Sequence, residues 1–242
     1  MAGGRRRERF LSRLLSGSAP GREMKRLCDL CAEVTGMSGA GIMIMSGDTP
    51  QGSLCTTDTV SALIERLQYN LGEGPCVDAF QQERPVLEPD LVHPSPARWV
   101  AFSAPAIEAG ARAVFGFPLQ VGAVRIGALN LYRDRPGPLS DDRHADALVS
   151  ADIAAHAILM LQADAPEGEI AAELEAGADF RYVVHQASGM VAAQLNVDLG
   201  QALVRLRAFS IGNDRPLTEV AEDVVGRRLR FDDGGGEKYP AP

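Results

Sequence analysis

The chain has 242 residues, 45% of them hydrophobic and 23% charged, with a formal net charge of −8. That length holds one domain of ordinary size plus a smaller one. The negative balance excludes a protein that coats nucleic acid indiscriminately, because long-range attraction to phosphates needs a basic surface, so any contact with a polyanion has to be local.

Residues 1–21 read as a basic leader containing "RRRERFLSRLL". Its apolar runs are too short for the core of a signal peptide, and no segment approaches the apolar length of a membrane span; the expectation is a cytoplasmic protein with no membrane partner. The pattern of residues 22–35 predicts a helix stopped by Gly36. "GAGIMIM" and "QGSLCTT" read as strands, and "DTVSALIERLQYNL" as a helix with Asp58 near its start. "GEGPCVDAF" is a glycine-rich turn entering a short helix at Pro75. It lacks the Gly-Lys-Ser/Thr ending of a phosphate-binding loop, so a turn without a ligand is expected.

A strand at "RPVLE", a helix across "WVAFSAPAIEAGA" and two strands joined at Gly122 and Ala123 follow. The tight hairpin argues for an α/β domain around a mainly antiparallel sheet. Trp99 and Phe102 read as core. "PLSDDRHADALVSADIAAHAILMLQ" closes this domain as a long helix capped by Ser140, with Leu148, Ile153, Ala157 and Met160 at helical spacing.

Cys28, Cys31, Cys55 and Cys76 are too few for a secreted disulfide scaffold. Cys28 and Cys31 form a CxxC, but no second Cys pair or paired histidines accompany it, so both read as small apolar residues on a helix. Cys76 reads as buried and inert. His93, His144, His156 and His185 stand singly, and neither a metal nor another cofactor is expected.

An acidic stretch, "DAPEGEIAAELEAGAD", marks a linker at 164–168 and the start of a second domain. Three helices are expected there. In the first, Phe180, Val183, Ala187, Met190 and Gln194 recur at a helical interval and suggest a packing seam. The second starts at Asp198, with Leu199, Ala202, Leu203, Leu206 and Phe209 as its buried stripe, and ends at Gly212. Pro216 opens the third, where Leu217, Val220, Ala221, Val224, Val225 and Leu229 form an apolar face. Each alone is marginal, so the three must pack together. Ala187 and Gly189, extended by Ala192 and Ala193, read as a small-residue surface for close helix approach.

Both halves carry a family likeness. "LGEGPCVDAF", Arg98 with Trp99, "GARAVFGFPL" and "IGALNLY" resemble the GAF sensor domains of actinobacterial GAF–ANTAR regulators, over most of residues 22–163. The tail, with "QASGM", Ala202, Leu206 with Arg207, Asn213 and "LTEVAEDVV", resembles an ANTAR domain. The resemblance implies an α/β GAF (PAS-like) domain with a mainly antiparallel central sheet flanked by helices, then an all-α three-helix ANTAR bundle over residues 169–231 and a disordered tail at 232–242. It implies a homodimer that grips paired hairpin loops of nascent RNA in transcription antitermination, governed by an unknown small-molecule or protein signal at the GAF domain. It implies a regulator and not an enzyme. Where the family motif reads Gln-Ala-Lys-Gly, this chain has Ser188 in place of the lysine, which keeps a hydrogen-bonding group but removes a charge.

The residue pattern is compatible with that role. From 181 to 231 seven arginines outnumber five acids, reversing the sign of the whole chain. Arg205 and Arg207 fall on opposite flanks of the stripe centred on Leu206, and Arg215 sits in the turn before the last helix. Guanidinium groups suit phosphate forks and base stacking. The RNA-binding candidates are therefore Arg207, Arg205, Arg215, Gln186, Ser188 and Asn213. Two other readings compete: a redox or small-molecule sensor or enzyme using the cysteines, with the C-terminal bundle as a dimerisation module, and a helix-turn-helix DNA-binding regulator. The latter is opposed by Glu219, Glu222 and Asp223 near the start of the third helix.

Overall fold

The computed structural model describes residues 2–16, 22–46, 49–94, 96, 98–163 and 179–232. The chain forms two compact units, Met1–Gly177 and Ala178–Pro242. The expected acidic linker at 164–168, the first residues of the second domain and nearly all of the 232–242 tail lie outside the described residues.

The first unit runs α1 (Ala2–Leu15), α2 (Glu23–Thr35), β1 (Gly39–Ser46), β2 (Thr49–Thr56), α3 (Thr59–Leu71), α4 (Pro75–Gln82), β3 (Val86–Glu88), α5 (Val100–Glu108), β4 (Ala113–Val121), β5 (Val124–Arg133) and α6 (Asp141–Ala163). The strands form one sheet in the order β2-β1-β5-β4-β3, every neighbour antiparallel. Local chemistry sets the boundaries. Gly36 closes α2 in the left-handed conformation at φ 63°, and Asp58 caps α3 by accepting from the Ser61 amide while Ser61 accepts from the Asp58 amide.

Alternation along the strands divides the core in two. Ile42, Phe115, Phe117, Leu129 and Leu131 pack with α2 and α6. Val114 and Tyr132 face the other way, toward Ile64, Ala79, Trp99, Phe102 and Ala106 of the remaining helices.

The basic leader includes a helix that neutralises itself on its own unit. In α1, Phe10 is buried against the core, Arg6 bonds Asp142 and Asp146 of α6 at 2.7 Å each, Arg7 pairs with Asp152, and Arg13 reaches Glu33 of α2 at 2.5 Å.

Helix α6 is long and apolar enough to cross a membrane by length and composition, which the sequence reading overlooked. It instead packs Ala147, Ala151, Ile153, Ala154 and Ile158 into the core. Leu148 and Met160, taken from spacing as its apolar row, are exposed, because in so alanine-rich a helix the small residues fit closest to the sheet. The CxxC reading is also corrected. Cys28 is disulfide-bonded to Cys55, tying α2 to the edge strand β2, and Cys31 stays a buried free thiol.

The second unit consists of α7 (Asp179–Leu195), α8 (Leu199–Gly212) and α9 (Leu217–Val225). Its core joins Val184, Ala187, Val191 and Leu195 to Ala202, Leu203, Leu206 and Phe209, and these to Leu217, Val220, Ala221 and Val224. Leu229 and Phe231 continue it beyond α9, where the Phe231 ring meets Phe209 at 5.7 Å between centroids. Two expected stripes shift. The seam of α7 runs through Val184, Val191 and Leu195 with Ala187, while Val183, Met190 and Gln194 are only half-buried and the Phe180 side chain lies outside the described residues. Leu199 is exposed at the first turn of α8, where no neighbouring turn covers it. Of the expected small-residue surface, Ala187 packs in the core and Ala192 is half-buried, whereas Gly189 and Ala193 face outward and a Cβ on Gly189 would meet nothing.

Candidate functional sites

In the first unit a polar niche is built between the sheet and α3. Ser61, Glu65 and Gln68 recur one turn apart on α3, and all three are buried. Below them Asn130 of β5 pairs in register with Gly41 of β1 and Gly116 of β4, so it is the one side chain in a row that three strands share. The glycines are required by close approach. A Cβ on Gly41 would stand 2.8 Å from the Glu65 side chain, and one on Gly116 would strike the backbone of Pro75.

The roof is completed by the "GEGPC" turn. Gly74 takes φ 133°, Pro75 starts α4, and the Cys76 amide donates to Gln68 Oε1 at 2.7 Å. Glu73 Oε1 accepts from the Ala101 and Phe102 amides at 2.8 Å each, so this acid caps α5. Trp99, at φ 56° before α5, is held by its indole N–H on Asp78 Oδ2 at 3.0 Å and by the Arg98 guanidinium 4.4 Å over its ring.

The chemistry of the niche follows from its burial. Glu65 is 2% exposed and its carboxyl lies beside the Asn130 and Ser53 side chains, which favour its charged form, although neither oxygen reaches full hydrogen-bond geometry with a described residue. Both Asn130 amide atoms and Gln68 Nε2 are likewise buried without a partner. Burial pushes the Glu65 carboxyl up to about 8. Desolvation, and then the neighbouring Glu65, raise the Cys76 thiol well above its ordinary range, and desolvation pushes Cys31 up to about 12. Neither free thiol has the thiolate character of a reactive cysteine. Sequence reasoning passed over Glu65, Gln68 and Asn130; the available signal was a polar row at helical spacing in α3.

The second unit sorts the RNA-binding candidates. Arg205 is exposed on α8, Arg207 is half-buried on the opposite flank of Leu206, and Gln186 is exposed on α7. Ser188, Arg215 and Asn213 are engaged inside the unit. Ser188 is 4% exposed and its hydroxyl donates to the Val184 carbonyl at 2.8 Å, so at this position the chain presents no group outward. Arg215 pairs with Asp223 at 2.6 Å, and Arg228 joins the same carboxylate at 2.7 Å. These guanidiniums, Arg215 first, hold the Asp223 carboxyl below its ordinary range. The Asn213 amide donates to the Phe209 carbonyl at 3.0 Å and closes α8.

Among the described residues of this unit, three exposed arginines were absent from the candidate set: Arg227, Arg228, which pairs with Asp223, and Arg230. Arg230 lies between buried Leu229 and Phe231, whose amide donates to Gln194 Oε1 at 2.9 Å. The Phe231 ring meets Phe209 edge-on, one turn after Arg205 on the same flank of α8, while Arg207 lies on the other side.

Comparison with known proteins follows this division. A GAF domain family model matches residues 22–159, and an ANTAR domain model matches residues 172–225. The chain is similar to the GAF domain from an Acinetobacter phosphoenolpyruvate-protein phosphotransferase, with TM-score 0.51, 13% identity, and coverage of 67% of this chain and 96% of that one. It is similarly related to the GAF domain from a Coxiella burnetii phosphoenolpyruvate-protein phosphotransferase, at TM-score 0.50, 13% identity, and 66% and 95% coverage. At these identities the likeness is one of fold. No curated protein matches the chain.

Proposed function

Because the chain belongs to the GAF domain family through residues 22–159 and continues into an ANTAR domain over residues 172–225, we propose that it is a signal-responsive regulator that binds folded RNA and acts in transcription antitermination. GAF domains are sensor modules and ANTAR domains are RNA-binding antitermination modules, so the chain is a regulator. On this reading a small-molecule or protein signal at the first unit controls the second, in the cytoplasm, and two copies of the chain grip paired hairpin loops.

The order of the two domains carries this reading, and the charge displayed on α8 supports it. Exposed Arg205 and half-buried Arg207 lie on opposite flanks of α8, Arg230 is exposed beyond α9, and Gln186 adds an exposed amide on α7. Exposed guanidiniums can fork phosphates or stack on loop bases. Ser188, Arg215 and Asn213 are assigned to holding the bundle together.

The test is binding of an RNA with two tandem hairpins, followed across salt concentrations. Arg205→Ala with Arg230→Ala is expected to weaken binding at least about tenfold and to reduce the log–log salt slope by about 0.7 for each lost phosphate contact. A wild-type protein that ignores hairpin RNA at low salt, or a triple variant including Arg207→Ala that binds as well as wild type, overturns the assignment. Duplex DNA competing better than the hairpins would favour the helix-turn-helix reading.

A further inference from the structure

We propose that the niche formed by Glu65, Gln68 and Asn130 binds a small organic cation bearing N–H donors, an amine or amidine, and that this is the class of signal the first unit reads. The inference rests on the sensor reading above and supplies its chemistry.

Five polar atoms on three buried side chains have no partner among the described residues: both Glu65 carboxyl oxygens, both Asn130 amide atoms and Gln68 Nε2. Leaving one such group unsatisfied costs about 1–3 kcal/mol, and native folds leave few. Here all five belong to one spot, over a strip of sheet where Gly41 and Gly116 flank Asn130 and contribute no side chain. With Glu65 ionised, three of the five are acceptors, and two of these sit on its carboxylate. A buried carboxyl either keeps its proton or, once ionised, needs a positive partner. An N–H-bearing cation supplies the charge and the donors together, and the two oxygens of a carboxylate accept paired N–H groups side by side. The Asn130 and Gln68 amide N–H groups then face an acceptor elsewhere on the same ligand. A metal ion fits poorly, since no group of three His, Cys, Asp or Glu side chains converges among the described residues.

Without a ligand the carboxyl holds a proton at neutral pH, because burial raises it to about 8. The groups facing it are the Ser53 hydroxyl of β2, the Asn130 amide of β5, Gln68 of its own helix and the Cys76 thiol of α4, which stays neutral in the same range. Entry of a cation therefore ionises Glu65, and the displaced proton leaves to solvent.

The experiment is isothermal titration of the full chain with methylammonium and methylguanidinium chlorides, in two buffers of different ionisation heat. Tetramethylammonium, sodium and potassium chlorides serve as charge controls without N–H donors. Saturable binding of the N–H cations is expected, with about one proton released per ligand at pH 7 and apparent affinity rising about tenfold between pH 6 and pH 7 before levelling above pH 8. Glu65→Gln is expected to lose both the binding and the proton release, and Asn130→Ala to weaken binding while keeping the release. The proposal is overturned if the N–H cations bind no better than the controls, if they bind without proton release, or if a folded Glu65→Gln protein binds them as well as wild type. Hairpin-RNA binding measured on the same preparation separates the two readings: its absence alongside intact cation binding sinks the RNA assignment only, and the reverse result sinks this one only.

Discussion

In the GAF unit the polar side chains of interest are hidden beneath a helix with five atoms unsatisfied, whereas in the ANTAR unit they stand on the outside and partly satisfy one another. A buried carboxyl without a partner is sensitive to whatever enters or titrates it, because the low-dielectric surroundings magnify any change in charge. An exposed guanidinium is insensitive to small changes and recognises by accumulation of weak, salt-screened contacts. On the proposed reading, the first site detects a small input and the second holds a large polyanion.

The sharpest way to test the hidden half of this contrast is pH. The Glu65 carboxyl is raised from an ordinary 4.5 to about 8 in the folded protein. Between those values the native state keeps a proton that the unfolded chain has released. The contribution to stability is therefore complete below about pH 4.5, is lost as pH rises toward 8, and changes no further above it. The loss is on the order of 5 kcal/mol. Glu65→Gln should abolish this decline, as measured by urea unfolding followed through the fluorescence of Trp99, the chain's one tryptophan. A variant that keeps the wild-type slope would show that Glu65 is ionised or solvated in the native state.

Slightly smaller is the effect of the disulfide. Cys28 and Cys55 are 27 residues apart. Loop-closure entropy for that span corresponds to about 3.5 kcal/mol. Cys55→Ser, or reduction, should lower the Trp99 transition by that order and leave the helical signal of the ANTAR unit in place. Coincident loss of both signals would break the two-unit description. The converse variant, Leu206→Ala, removes a fully buried side chain from α8. It should cost about 3 kcal/mol in far-ultraviolet circular dichroism while the tryptophan transition stays where it was.

The contrast also explains what could be read from the sequence. Gly36 as a helix stop, Asp58 as a cap, Pro75 at a helix start and the Gly122 hairpin are local instructions, and each reads directly from a few adjacent residues. The faces of α6 and α7 were harder. Where Ala, Gly and Ser dominate, periodicity barely distinguishes inside from outside, so Met160, Gly189 and Ala193 were placed inward and are not. The Cys28–Cys55 bond joins a helix to a strand far along the chain, and the nearby Cys31 drew attention to the wrong pair. The niche was hidden for a related reason. In "LIERLQ", Glu65 next to Arg66 has the look of a solvated helix face, and only the register that sets Asn130 between Gly41 and Gly116 shows what lies opposite. For the ANTAR surface, sequence could count arginines but not tell a displayed one from a paired one.

That last distinction yields the smallest and most discriminating prediction. Asp223 is 17% exposed and binds Arg215, 27% exposed, and Arg228, 60% exposed, bracing the turn between α8 and α9. Asp223→Asn removes one negative charge and releases both guanidiniums from it. Stability should fall by about 1 kcal/mol, since the pairs are partly solvated. RNA affinity should move the opposite way: with less repulsion and two more guanidiniums to offer, binding tightens and the log–log salt slope steepens by about 0.7 per arginine that reaches a phosphate, to at most about 1.4. Fluorescence anisotropy of a labelled hairpin RNA over a salt series reads both quantities. An unchanged slope with lowered stability would assign Arg215 and Arg228 wholly to the internal brace and confine recognition to Arg205, Arg207 and Arg230.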